Sequence, residues 1–402
     1  MKHALLFCAA IFLVSACAGA PAPSTPAGPG AAIPAGDALP WPLSLPPGYR
    51  ISLYASGLEE VRDIAFSPQG VPYVTVMNRA SQRGGKVLAL PDQNGDGRAD
   101  RVVVVTGDLD KPHGIMFYKG QLYVSEAGAI WLLRDSNGDM VADAREAVVE
   151  EIPASGDHWA RPFVFDEDGS IVVAIGSHCN ACQEGDKRRA TIARYLPGVA
   201  GQRGQVIARG LRSVVGLAWR PGTHELWATN NGRDQLGPET PADQLFRIEE
   251  GKHYGWPYCY GDRTPDPEVF ADPNISTPDR SPKNLFCREQ VTAPELLLPP
   301  HTAPLGMAFY DGTQFPPEVR GSLFVALHGA FDFSTFSGYR VVRIPFVGGQ
   351  PGQPEDFITG WAPPGAKLWV GRPVGVRVGP QGSLYVTDDV NGFLYRVDYV
   401  GT

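Results

Sequence analysis

One pattern recurs along this chain and restricts its fold more than any other feature. From residue 64 onward, an apolar strand runs into a Gly-containing turn, and a second apolar strand follows. Ile64-Ala65-Phe66 leads through Ser67-Pro68-Gln69-Gly70 into Tyr73-Val74-Thr75. The arrangement returns at 114–124, 163–173, 216–228, 306–325 and 376–386. The copies start about 50 residues apart, with two longer gaps between the fourth and the sixth. Alternating apolar residues around a Gly or Asp-Gly turn signal a β-hairpin. A lone hairpin cannot bury its own face, so the units must pack on one another. Six related units of this size predict an all-β, six-bladed β-propeller. Tyr49-Arg50-Ile51-Ser52-Leu53-Tyr54 is a spare N-terminal strand. It is expected to pair with the last blade, near Phe393–Val397, and so close the ring. A pair of β-sandwiches is the competing arrangement, and the wide, regular repeat argues against it.

Composition agrees with this reading. The chain has 47 Gly and 38 Pro, 85 of its 402 residues, where average usage gives about 12%. Both residues weaken helix interiors and supply turns. No amphipathic helix pattern of useful length stands out. The net charge of -8, with no dense Lys/Arg run, argues against a nucleic-acid partner.

The N-terminus reads as an export segment. Lys2 and His3 precede an apolar run from Ala4 to Val14, which has signal-peptide length and is too short to span a bilayer. It ends in Leu13-Val14-Ser15-Ala16-Cys17, which resembles the lipobox of bacterial lipoproteins. The expected organisation is a signal peptide over 1–16, a tether over 17–44 beginning at a lipidated Cys17, and the propeller over 45–402. Residues 18–36 contain only Ala, Gly, Pro, Ser, Thr and one Ile, which suits a semi-rigid linker. Ala18 follows the Cys, so the resemblance implies the outer membrane, facing the periplasm.

Four cysteines then remain: Cys179, Cys182, Cys259 and Cys287. An exported chain favours disulfides. Of the three possible pairings, proximity selects Cys179–Cys182 and Cys259–Cys287. A zinc site is the rival, and no second ligand pair at zinc spacing accompanies the single Cys-x-x-Cys.

Several polar residues sit where loops enter blade strands. His158 lies in Gly156-Asp157-His158-Trp159-Ala160-Arg161, and a His there can act as a general base. Leu211-Arg212-Ser213 enters the fourth copy, and Asn230-Asn231-Gly232-Arg233-Asp234 leaves it. Backbone carbonyls in such a turn suit a hard cation. His113, His301 and His328 enter near other strands. Asp92–Asp100 and Asp135–Asp143 resemble the start of an EF-hand loop. The first lacks the Glu at position 12 and the second lacks the Gly at position 6, so metal-free Asx turns are the simpler reading.

Taken together, these segments resemble the PQQ-dependent soluble sugar dehydrogenases, in particular the glucose/sorbosone dehydrogenase group. The resemblance covers about residues 45–400 and is carried by five segments. They are His158 to Cys182, Leu211 to Gly237, Tyr254-Gly255-Trp256-Pro257-Tyr258-Cys259, Ala303-Pro304-Leu305-Gly306 and Gly371-Arg372-Pro373-Val374-Gly375. It implies PQQ and a calcium ion on one face of the propeller. His158 falls at the general base, taking the sugar hydroxyl proton while hydride passes to the quinone. Arg161, Arg212 and Arg372 are the expected partners of the PQQ carboxylates. Ser213, Asn231, His301 and His328 fall at pocket positions, and the carbonyls of Gly232 and Arg233 at the calcium ligands. Ser213 and Val215 stand where the glucose-oxidising branch has Asn and Gln. Ala330-Phe331-Asp332-Phe333 replaces the stretch in which the sorbosone-like branch carries a cation. The implied partners are a small sugar and a separate electron acceptor, since no haem-attaching Cys-x-x-Cys-His is present. Two rival functions are a non-catalytic lipid-anchored propeller that binds carbohydrate or protein, and a propeller hydrolase such as a lactonase.

Overall fold

The computed structural model describes residues 39–78, 81, 83–196, 198–199, 201–269, 282–330, 336–362 and 368–401. The signal peptide, Cys17, the tether up to residue 38 and Phe331–Phe333 lie outside the described residues. Among the described residues, six blades of four antiparallel strands make up the ring, the third extended by a short fifth strand, and all six repeat copies are the two innermost strands of a blade.

Blade 1 comprises Glu60–Phe66, Pro72–Met77, Gly85–Ala89 and Val103–Leu109. Blade 2 comprises Ile115–Tyr118, Gln121–Ser125, Ile130–Arg134 and Ala144–Val149. Blade 3 comprises Phe163–Phe165, Ile171–Ile175, Thr191–Tyr195 and Gln205–Arg209. Blade 4 comprises Leu217–Trp219, Leu226–Asn230, Ala242–Ile248 and Leu296–Pro300. Blade 5 comprises Pro304–Phe309, Leu323–Leu327, Arg340–Ile344 and Glu355–Ile358. In blade 6, Pro373–Val378, Leu384–Asp388 and Phe393–Tyr399 come from the C-terminus, and Tyr49–Ala55 adds the outer strand. Tyr49 pairs with Tyr399 and Leu53 with Tyr395, so the ring closes as the sequence predicts.

Strands at the middle of each blade are covered on both sides by neighbouring blades. Leu226–Asn230, Leu323–Leu327 and Leu384–Asp388 are therefore buried at every position. Apolar clusters fill the space between blades, with Trp227, Phe309 and Leu323 between blades 4 and 5. Trp41 and Leu43 pack against the cluster of blades 5 and 6, and Ser44 bridges to Thr359. Packed structure thus begins by Leu39, ahead of the expected boundary at 45.

The longest gap in the repeat is an excursion over residues 249–295. It contains the short strand Lys252–His253, which runs parallel to the outer strand of blade 3, and the helix Pro282–Glu289. A buried Cys259–Cys287 disulfide joins its two ends, and Cys179 pairs with Cys182.

The centre is built from one repeated device. A hydroxyl on the second strand of a blade donates to the carbonyl that begins the next blade. Thr75 reaches His113 O at 2.7 Å, Ser125 reaches Arg161 O at 2.6 Å, Thr229 reaches Leu305 O at 3.1 Å and Thr387 reaches Arg62 O at 2.7 Å. Backbones this close leave little room for a side chain. A methyl group at Gly306 would come within 2.6 Å of Val374 O, so glycine is required there. The corresponding residues around the axis are Arg62, His113, Arg161, Val215, Leu305 and Val374. Three are cationic or imidazole and three are apolar, the latter packing together with Ala160.

Candidate active site

His158 stands at the entry to blade 3. Gly176 creates its seat: a methyl group there would lie 2.5 Å from His158 Cβ. His158 Nδ1 lies 3.0 Å from Ser177 O and 2.8 Å from Ser177 Oγ. A carbonyl can only accept, and the Ser177 hydroxyl donates to Cys179 O at 2.8 Å. Nδ1 therefore carries the proton, and the lone pair is on Nε2. Nε2 has no partner among the described residues. Burial, and then the Arg212 charge, lower the His158 pKa to about 3, so the free imidazole is neutral.

Arg212 faces His158 from blade 4. Its Nε donates to Asn180 O at 3.0 Å, and Nη2 to Asn180 Oδ1 and Asp234 Oδ2, both at 2.8 Å. Asn180 is held between the two cysteines of the Cys179–Cys182 bridge. Its Oδ1 also accepts from Asp234 N, and its carbonyl accepts from Trp256 Nε1. One clipped loop thus orients the arginine, the Asp234 turn and a tryptophan of the excursion.

The turn after the second strand of blade 4 comes next. Gly232 N donates to Asp243 Oδ1 at 2.8 Å. Asp243 also accepts from Thr302 Oγ1 and Ala303 N, and burial raises its pKa to about 6. The Arg233 side chain turns away and makes two bonds to buried Asp266, at 3.0 and 2.9 Å. The carbonyl oxygens of Gly232 and Arg233 accept no hydrogen bond among the described residues. Asn231 Oδ1 beside them is buried with no hydrogen-bond partner among the described residues. Ser213 is buried behind this turn, with its N bonded to Asn230 Oδ1. His301 donates Nε2–H to Gly237 O at 2.8 Å, tying the same loop to blade 5.

Across the axis lies a second group. His328 Nε2 donates to Asp389, 3.0 and 3.2 Å from its two oxygens. Asp389 also takes Arg62 Nη1 at 2.6 Å, and both of those side chains are nearly inaccessible. Burial pushes the Asp389 pKa up, but the His328 contact with its hydrogen bond, and then the Arg62 and Arg372 charges, outweigh it and hold the carboxyl far below the usual range. Burial keeps His328 neutral. Arg372 donates Nε to His328 O and Nη2 to Gly329 O, and its guanidinium lies over Tyr339 and Trp369 at 5.8 and 5.6 Å. Asp388 holds the backbone N of Arg372 at 3.0 Å. Trp159 bridges the two groups: it follows His158 in the chain and lies 5.4 Å from the Arg62 guanidinium.

Arg161 differs from the other two arginines. It is fully buried, with Nη1 on His158 O and Ala160 O and Nη2 on Pro153 O. Its guanidinium organises the loop that carries His158. Arg212 and Arg372 instead each keep an Nη1 with no hydrogen bond among the described residues. His113 lies below, on the axial cavity of about 10 Å³, which has room for a single water. Neither of its ring nitrogens has a hydrogen-bond partner among the described residues.

The structure therefore brings His158, Arg212, Asn231, Gly232, Arg233, His328 and Arg372 to one end of the axis, with Ser213 behind and His301 at the edge. Sequence reasoning missed Ser177, Asn180, Asp243, Asp388, Asp389 and Arg62. The adjacent acids Asp388-Asp389 at the end of an apolar strand were the available signal, because buried carboxylates need partners.

The match to known proteins decides the kinship. The TrAA12-like family model covers residues 43–400. The chain belongs to the TrAA12-like family. A curated relative from Borreliella burgdorferi, an uncharacterized protein, is 25% identical over 376 residues, spanning 87% of this chain and 95% of that one. A PQQ-dependent pyranose dehydrogenase of Coprinopsis cinerea is 28% identical over 335 residues, 74% of this chain but 44% of that protein. The fold matches the Trichoderma reesei AA12 enzyme with a TM-score of 0.74 at 20% identity, covering 91% of this chain and 100% of that one. It matches the holo PQQ domain of the Coprinopsis pyranose dehydrogenase with a TM-score of 0.71 at 23% identity, covering 90% and 98%. The propeller is thus the fold on which PQQ-dependent sugar dehydrogenases are built.

Proposed function

We propose that this chain oxidises an aldose or related sugar, with PQQ as cofactor, calcium as its metal and His158 as general base. One observation carries the reading: His158 Nε2 is free and neutral, on a ring whose tautomer is set by Ser177, beside the cation Arg212. The residues fit both groups. Arg212 and Arg372 offer unused N–H groups to carboxylates. The carbonyls of Gly232 and Arg233, with the orphaned Asn231 Oδ1, form an oxygen set suited to a hard cation.

When bound, PQQ supplies the hydride acceptor that no side chain can provide. The chain's own residues handle the proton. The sugar hydroxyl gives its proton to His158 Nε2 while Nδ1–H stays on Ser177. The imidazolium so formed is stabilised by the Ser177 oxygens and held in place by the Arg161-braced loop. An anionic ligand on Arg212 offsets one cause of the low His158 pKa, which makes the imidazole a stronger base when the site is filled. Electrons then leave to a separate acceptor. Export with a lipid anchor at Cys17, in the outer membrane facing the periplasm, belongs to the same proposal; its support is the apolar run before Cys17.

Apo-protein mixed with PQQ and calcium should reduce an artificial dye in the presence of an aldose or sorbosone. His158→Ala should abolish turnover and leave PQQ absorbance titration unchanged. Failure to bind PQQ, together with no dye reduction across a broad sugar panel, would overturn the reading.

A further inference from the structure

The Cys179–Cys182 loop contains more than a bridge. His178 and Glu184 flank it, and one ligand atom from each of these four residues lies within 4.8 Å of all the others. His178 Nδ1 is 2.7 Å from Glu184 Oε2 and 3.7 Å from Cys182 Sγ. Glu184 Oε1 accepts from His178 N at 2.7 Å, so the carboxylate is already fixed against the imidazole. The Glu184 side chain is only 8% exposed, whereas His178 is 48% exposed and gives an ion a way in. In the sequence the Cys-x-x-Cys lacked a second ligand pair at zinc spacing, and the fold supplies one.

We propose that the reduced form of this loop is a zinc site, with Cys179, Cys182, His178 and Glu184 as its four ligands. Two thiolates, an imidazole and a carboxylate form a closed tetrahedral set for Zn²⁺, whose ligand atoms stand about 2.0–2.3 Å from the metal. Opening the site requires an external dithiol. It gives two electrons and two protons to the Cys179–Cys182 bond and becomes a disulfide itself. Zinc then replaces the two thiol protons, which leave to solvent. Cys259–Cys287 is buried and Cys179–Cys182 only half-buried, so the latter bridge opens first. Because Asn180 lies between the two cysteines, the bridge and the metal are alternative ways of holding the loop that orients Arg212. The site does not depend on the PQQ reading.

The test uses the full chain, treated with dithiothreitol and freed of it without air. Zn²⁺ is then titrated against a metal indicator, and Co²⁺ is added separately to report thiolate ligation by its charge-transfer absorption. The reduced chain should take up one ion, and the oxidised chain none. His178→Ala, at the exposed ligand, and Glu184→Gln, which keeps the shape of the buried one, should each weaken binding on the order of tenfold or more. Cys182→Ser should remove most of the cobalt–thiolate absorption. No stoichiometric uptake by the reduced chain, or uptake indifferent to His178→Ala and Glu184→Gln, would overturn the proposal.

Discussion

The two sides of the axial mouth hold their arginines in different ways. On the blade 3–4 side, Arg212 is held by Asn180, a neutral residue within a covalently clipped loop, and by Asp234, whose side chain is 51% exposed. On the blade 6–1 side, Arg62 is held by Asp389, which is 327 residues away in sequence and 8% exposed. The first arrangement is local and partly wet. The second forms only when the ring closes, and its charges have no water to fall back on. A buried ion pair therefore couples closure of the propeller to assembly of this side of the site.

The largest expected effect breaks the dry side. Asp389→Asn leaves Arg62 buried without its counter-charge, at about 3–5 kcal/mol of stability. Chemical denaturation measures it, and a loss below about 1 kcal/mol would mean that water reaches the pair. The same residue predicts acid sensitivity. Asp389 has a folded pKa below its unfolded value, so its contribution is full above about pH 4 and is lost as pH falls toward the folded value.

Next is Asn180→Ala on the wet side. It removes one acceptor from Arg212 Nη2 and from Asp234 N, an expected cost of about 1–3 kcal/mol. PQQ affinity should fall with it, since Arg212 is no longer aimed.

His158 gives an effect of about 1–2 kcal/mol between pH 7 and 5. Its folded pKa, about 3, lies below the unfolded value of about 6.5. The unfolded chain binds the extra proton across that window, so stability declines as pH falls through it. His158→Gln should flatten this slope, and NMR of the ligand-free protein should show the imidazole neutral well below pH 6. An imidazole titrating near pH 6.5 would mean that burial and the Arg212 charge do not act on it.

The smallest effect is Asp234→Asn, within about 1 kcal/mol, because that carboxylate is half in water. If it matched Asp389→Asn, the contrast between the two sides would collapse.

The ring itself was legible in the residues. Each Gly-turn hairpin became the inner half of a blade, and Tyr49–Tyr54 closes against the strand foreseen for it. His158 and Arg212 were legible because they stand beside recognisable strand entries. The residues that tune them were not. Ser177, Asn180 and Asp389 act across loops or across the closure, and no local spacing records such contacts. Arg161 shows the same limit: its neighbours in sequence resemble a cofactor site, but burial turns its guanidinium onto the carbonyls of Pro153, His158 and Ala160.

By itself, the sequence determined the number of blades, their turns, the closing strand and the two cysteine pairings, all of which follow from short-range periodicity and proximity. Only the tertiary structure decided which charges face the axial mouth and which brace it from behind. The physical reason is that a buried polar group must find partners wherever the packed chain supplies them. In a closed ring those partners come from the adjoining blade or from the opposite end of the sequence.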